Sequence, residues 1–316
     1  VNTLLLHLDD AILMQTSFMD AALSAGAYEA DERCCGSTIR LWSRRESLDP
    51  LRHSIARAAR AQTPPRLCFI GSGDFHHVSA LLIAEAAERF DGPLTVIHID
   101  NHPDWVNFAN GVHCGSWVNE VVKHPQVQKV ITFGVCSGDL QWPERKGANL
   151  QNLVSGKLEL YPFDHPPSRV RRNYGEGASY VQSSRRLNWV TMRHFGFTGF
   201  CEHLLQRIET TNVYITIDKD CLSPEEAVTN WDQGKLRLSM LLRLLGEIGA
   251  GHRIIGADVL GDYSTPVYSG TFFTRFLKQS EILLDQPLRT PDPAATTSCN
   301  AASNLALLRA FSEIMK

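Results

Sequence analysis

The 316 residues, 43% of them hydrophobic and 21% charged, suffice for a large buried core and predict a single α/β domain spanning 1–316. A formal net charge of −3 provides no global basic field, so neither nucleic acid nor an anionic membrane is an expected partner. No apolar stretch approaches the ~20 residues of a membrane-spanning helix, and the opening VNTLLLHLDD lacks a basic flank and meets Asp9 and Asp10 too early for a signal peptide, which predicts a cytoplasmic protein.

In chain order, short β-branched and aliphatic runs predict strands at 3–9, 37–43, 66–72, 94–100, 129–135, 157–163, 213–218 and 253–260. Several carry apolar residues on both faces, the pattern of parallel strands covered on both sides. Helical periodicity falls between them at 47–61, 78–90 and 238–250, and again at 302–315. This alternation predicts a doubly wound αβα sandwich with its site at the carboxyl ends of the strands. Two segments break the rhythm. Residues 164–195 carry six arginines with Tyr174, Tyr180 and Trp189 and predict an inserted basic excursion, solvated or closing over the site as a lid. Residues 261–299, rich in Thr, Pro, Ser and Gly, predict a surface wrap.

The chemistry collects at strand ends. VIHIDNHPDW places Asp100, His102 and Asp104 at alternate positions, and VYITIDKDCLSP does the same with Asp218 and Asp220 while turning Lys219 to the opposite face. A third strand runs through GSGDFHH to His76 and His77, either of which could join the group. Four clustered aspartates repel one another and raise their own pKa values unless cations neutralise them, and two divalent ions balance the charge. Hard oxygens mixed with imidazole, with no thiolate, favour manganese, with zinc, iron or cobalt as alternatives. The eight cysteines include no C-x-x-C pair and predict packing residues rather than metal ligands. A pair of ions about 3.5–4 Å apart serves hydrolysis.

These residues resemble the ureohydrolase superfamily of arginase, agmatinase and formiminoglutamase, a distant relative of the histone-deacetylase fold. The D-x-H-x-D motif appears as DNHPD at 100–104, and S-x-D-x-D-x-x-D-P as TIDKDCLSP at 216–224, with Thr216 for the serine and Ser223 for the last aspartate. The likeness extends from about residue 66 to 266 and implies a three-layer αβα fold around a mainly parallel eight-stranded sheet. It implies two metal ions held by Asp100, His102, Asp104, Asp218 and Asp220, a middle aspartate of this kind bridging them. Aligned with the family's G-G-D-H histidine, His76 rather than His77 completes the set. The expected activity is hydrolysis of a linear C–N bond in a guanidino or amidino compound, with Asp104 and His113 moving the proton to the leaving nitrogen. A deacetylase-like amide hydrolase and a non-catalytic metal-binding scaffold are the alternatives. Gly261 stands where guanidinium-binding members carry a glutamate, so ordinary arginase activity is not expected. Asp262, Trp231 and Asp232 are the candidate substrate contacts. The resemblance further implies a small-molecule substrate and a homo-oligomer.

Overall fold

The structure, a computed structural model, describes residues 1–61 and 63–315. Its centre is an eight-stranded sheet built from β1 (Asn2–His7), β2 (Tyr28–Asp31), β3 (Arg66–Gly71), β4 (Leu94–Ile99), β5 (Val127–Phe133), β6 (Leu158–Tyr161), β7 (Asn212–Asp218) and β8 (Arg253–Leu260). They lie in the order β2-β1-β3-β8-β7-β4-β5-β6, and every neighbouring pair is parallel. The expected αβα sandwich is thus present, with a sheet that is parallel throughout.

Strand alternation divides the core in two. In β4, Leu94 and Val96 enter one cluster, with residues of the helices Asp49–Ala61, Ser79–Ala87 and Val118–Val121; Ile97 and Ile99 enter the other, with the helices Thr16–Ser24, Met192–Arg207, Leu238–Gly251 and Pro293–Ile314. At roughly 25 cal/mol per Å² of apolar surface buried, both layers are needed to cover a sheet whose central strands are buried at nearly every position. No helix among the described residues is long and apolar enough to cross a membrane.

One predicted strand is wrong. Residues 37–39 are the end of a helix, Arg33–Ile39, residues 40 and 41 bend, and only Trp42–Ser43 is extended, paired antiparallel with Val112–His113. Gly36 causes much of this. A Cβ there would stand 1.8 Å from the carbonyl oxygen of Leu8, so the helix seats backbone to backbone on the chain leaving β1. Arg40 then turns inward to Asp74 (2.6 Å), and Leu41 takes φ +66°, which ends any extended run. The true second strand, YEAD, is a half-exposed edge strand and therefore carries no apolar run.

The basic segment forms a four-stranded antiparallel sheet from Ser168–Arg169, Glu176–Gly177, Tyr180–Ser183 and Arg186–Trp189. Its arginines face solvent, and none of its residues lines the cleft described below, so it is no lid over that cleft. The surface wrap at 261–299 contains an unexpected helix, Phe272–Asp285, and the final helix begins early, at Pro293. The unexpected helix turns Lys278 and Ile282 inward and leaves Phe272 and Leu284 about 80% exposed (78% and 83%), an inversion that hid it from periodicity.

Candidate metal centre and active-site cleft

The parallel register places a row of polar side chains across one face of the sheet. Asp258 of β8 is opposite Thr216 of β7, Thr216 opposite His98 of β4, and His98 opposite Thr132 of β5. All four are fully buried. One pleat further on the same face stand Asp218 and Asp100, at the strand ends. The ligand candidates therefore rest on a hydrogen-bonded polar layer rather than on hydrocarbon.

Two glycines make room for Asp218. A Cβ at Gly73, just past β3, would lie 2.5 Å from its Oδ2, and a Cβ at Gly261, just past β8 with φ +96°, would lie 2.3 Å from its Oδ1. The carboxylate fills both spaces.

Five of the six expected ligands approach one another through two groups of donor atoms, one with His76, His98, Asp100 and Asp104, the other with Asp100, His102 and Asp220. Asp100 belongs to both. His76 Nδ1 is 3.0 Å from Asp100 Oδ2 and from Asp104 Oδ2, and 3.7 Å from Asp218 Oδ2, which brings in the sixth. His102 Nδ1 is 2.9 Å from Asp220 Oδ2 and 3.5 Å from Asp100 Oδ1. His77 is buried elsewhere, with both ring nitrogens unpartnered. His98, absent from the sequence reading, sits beneath the others: its Nε2 meets Asp100 Oδ2 at 2.9 Å and its Nδ1 meets Thr132 Oγ1 at 3.0 Å. Its place two residues before Asp100 on the same strand face was the available signal.

The outer nitrogens decide whether metal ions fit. His76 Nε2 lies 3.0 Å from Thr216 Oγ1, whose own proton goes to Asp258 Oδ1 at 2.7 Å, so the imidazole is the donor. His102 Nε2 lies 2.8 Å from Asp232 Oδ1, again an acceptor. In both neutral rings the proton is thus on Nε2, and each Nδ1 lone pair faces carboxylate oxygens. Lone pairs at these separations require a proton or a cation between them. The electrostatics carry the same message. Burial and the neighbouring Asp100 push Asp218 up to about 7, and burial, Asp100 and Asp218 push Asp220 well above the carboxylate range. Burial opposes charge on His76, yet its bonds to Asp100 and Asp104 raise it; burial likewise opposes charge on His102, and Asp220 and Asp100 outweigh it. Burial would also raise Asp100, but bonds from His102, His76 and His98 hold it well below the usual range. Oxygen-rich donors with orienting outer partners suit two divalent cations.

A cleft of about 360 Å³ opens above this cluster, lined also by Trp231, Asp232, His113, Asp139, Lys146, Glu281 and Asp285.

The Arginase family model matches residues 26–155. Solved structures share the fold across nearly the whole chain: the arginase of Bacillus caldovelox (TM-score 0.60, 13% identity, 97% of each chain), the proclavaminate amidino hydrolase of Streptomyces clavuligerus (0.54, 14%, 98% of this chain and 91% of that one) and a hypothetical agmatinase of Burkholderia thailandensis (0.53, 18%, 99% and 86%). Residues 26–155 are thus similar to the Arginase family, and the chain has the arginase fold. A curated relative, an uncharacterized protein of Thermotoga maritima, is 23% identical over 194 residues, a span of 61% of this chain and 57% of that protein.

Within this arginase-like fold, the other candidate residues differ from expectation in their contacts. Asp262 does not reach the cleft. Its carboxylate turns to the other side of the sheet, where Lys219 Nζ donates to Oδ1 at 2.6 Å and Asn304 Nδ2 approaches Oδ2 at 3.2 Å. Trp231 does line the cleft, its indole donating to Asp74 (2.9 Å) and its ring edge-on to His102 at 5.5 Å. Asp232 lines it too, but one carboxylate oxygen is engaged by His102 and the other by Asn101 (3.0 Å), which makes it a support for a ligand candidate. Asp104, at φ +47°, accepts from Trp117 Nε1 at 2.6 Å. No hydrogen bond among the described residues joins it to His113, whose imidazole pairs with Glu281 instead. Buried Cys114 has its thiol raised by desolvation, which disfavours the thiolate.

Proposed function

We propose that the protein is a binuclear metal-dependent hydrolase that cleaves a linear C–N bond in a guanidino or amidino compound. The observation that carries this reading is the pair of imidazoles, His76 and His102, each with its outer nitrogen satisfied and its inner lone pair aimed at carboxylates, in two groups that share Asp100. On this reading His76, Asp100, Asp104 and Asp218 would hold one ion, and His102, Asp100 and Asp220 the other. When bound, such ions acidify water toward neutral pH and stabilise negative charge developing on the substrate.

The chain's own residues supply the rest. Thr216 and Asp232 fix the ring orientations of His76 and His102, while His98 fixes Asp100. Trp231 forms an apolar wall against His102. The shared carboxylate favours two ions over the single ion of a deacetylase-like amide hydrolase. Hard donors favour manganese, and elemental analysis after loading with manganese, zinc, iron or cobalt ranks the four.

The test is metal stoichiometry with turnover. Manganese-loaded protein should hold two ions per chain, and Asp220→Ala should lower occupancy. A screen of guanidino, amidino and acyl-amino compounds, with urea, ammonia and free amine measured separately, should yield urea or ammonia from the first two classes. No more than one ion in well-folded, fully loaded protein, or turnover confined to acyl-amino compounds, refutes the reading.

A further inference from the structure

Eight carboxylates line the cleft, and seven have an evident counter-charge or duty. Asp100, Asp104, Asp218 and Asp220 form the ligand cluster. Asp232 holds His102. Asp139 and Asp285 flank the ammonium of Lys146 at 3.3 and 3.4 Å. Glu281 remains.

Glu281 stands on the helix Phe272–Asp285, which contributes Glu281 and Asp285 to the cleft wall. Both of its oxygens are already oriented. Trp42 Nε1 donates to Oε2 at 3.0 Å, and His113 Nε2 meets Oε1 at 2.5 Å. The backbone N–H of Gly115 donates to His113 Nδ1 at 2.8 Å, so the ring proton sits on Nε2 and the imidazole reaches Glu281 as a neutral donor. Lys278, one turn earlier on the same helix, is within electrostatic reach of Glu281, but its ammonium donates to Thr38 O at 2.7 Å over the Trp42 ring and bonds no carboxylate among the described residues. A carboxylate offers about four lone-pair sites, and neutral donors fill only two of these. The result is a pre-oriented carboxylate, 22% exposed, on a cleft wall, with the charge of Lys278 nearby but no ammonium or guanidinium bonded to it.

We infer that Glu281 is the residue that receives the cationic group of the substrate, with His113 and Trp42 as positioning residues that hold its carboxylate. This rests on the reading of the cleft as a substrate site. Position 261 cannot supply that charge, because Asp218 occupies the space its side chain would need, and Asp262 is paired with Lys219. A planar cation docking on Glu281 gains charge-assisted hydrogen bonds that a neutral analogue lacks.

The experiment compares binding of propylguanidine and its neutral analogue propylurea to the metal-loaded protein by calorimetry, independently of turnover. Wild type should prefer the cation by about tenfold or more, and Glu281→Gln should abolish the preference while elemental analysis finds unchanged metal content. Trp42→Phe keeps the carboxylate but removes one orienting bond, and should narrow the preference several-fold even if Glu281→Gln folds poorly. A wild type without preference, or a folded Glu281→Gln or Trp42→Phe that retains it in full, overturns the assignment. A preference that depends on Glu281 in a protein that turns over no screened compound leaves the assignment standing and removes the hydrolase reading instead.

Discussion

Position 261 has no room for a side chain. An alanine Cβ would meet Asp218 Oδ1 at 2.3 Å and the Lys219 backbone nitrogen at 2.5 Å, on a backbone at φ +96°. Gly261→Ala should therefore lose about 1–3 kcal/mol from backbone strain alone, read by urea denaturation of metal-free protein, and should weaken metal binding because Asp218 must move. A variant of wild-type stability and affinity would contradict this packing. Asp232 offers a second test at this scale. As an orienting partner of His102 it should, on replacement by alanine, lower metal affinity by about 10–100-fold in a direct metal titration; a change in KM alone would return it to the substrate role expected from sequence. The residues that converge are those whose alternation ended an apolar run: Asp100 and His102, Asp218 and Asp220. Of those beneath them, Thr216 was visible only as a motif position and His98 only by its place two residues before Asp100, while Thr132 and Asp258 have no visible partner until register aligns the four in one row. Glu281 was less legible still, since its relation to the cleft depends on a helix that sequence did not reveal.

Elements were readable where they pack on the sheet and obscure where they do not. The buried runs of β3, β4, β5, β7 and β8 stand out by composition, whereas the edge strand β2 is polar and the helix Phe272–Asp285 turns its apolar side outward. The alternation that aims Asp218 and Asp220 toward the cleft also sends Lys219 to the opposite face, as the sequence indicated. There the structure adds what sequence could not: Lys219, fully buried, joins the end of β7 to Asp262 beyond β8 and approaches Ser303 of the final helix at 3.5 Å, while Asn304 of that helix contacts Asp262 and Gln15. Breaking such a pair from one side leaves a buried charge uncompensated. Asp262→Ala should cost about 3–5 kcal/mol of folding stability, and Lys219→Met combined with Asp262→Leu should recover most of it. Chemical denaturation of the three proteins decides the matter, and additive losses in the double variant would show that the charges are not coupled.

For the molecule as a whole, an acidic cluster at the ends of the central strands sets folding against function, and the balance depends on pH. In metal-free protein Asp218 sits near 7, above its unfolded value of 3.8, so its contribution to stability is complete below 3.8 and is lost as pH rises through about 7. Asp220, His76 and His102 are raised as well and act in the same direction, each contribution fading as pH climbs through its raised value. Asp100 is the opposite case. Held well below 3.8, it gives stability that is present above 3.8 and lost only in stronger acid, outside the neutral range. On the proposed reading divalent ions should reverse the balance, since they would bind the deprotonated cluster and stabilise the native state by about 2.7 kcal/mol at a concentration 100 times Kd. Below pH 7 they must first displace a proton from Asp218, and each displaced proton lowers apparent affinity about tenfold per pH unit. The difference in Tm between manganese-loaded and chelator-treated protein should therefore widen from pH 6 to pH 8, the metal-free protein losing stability while the loaded one does not. A difference that stays constant or narrows over that range would mean that the clustered aspartates are not the groups whose charge the metal ions neutralise.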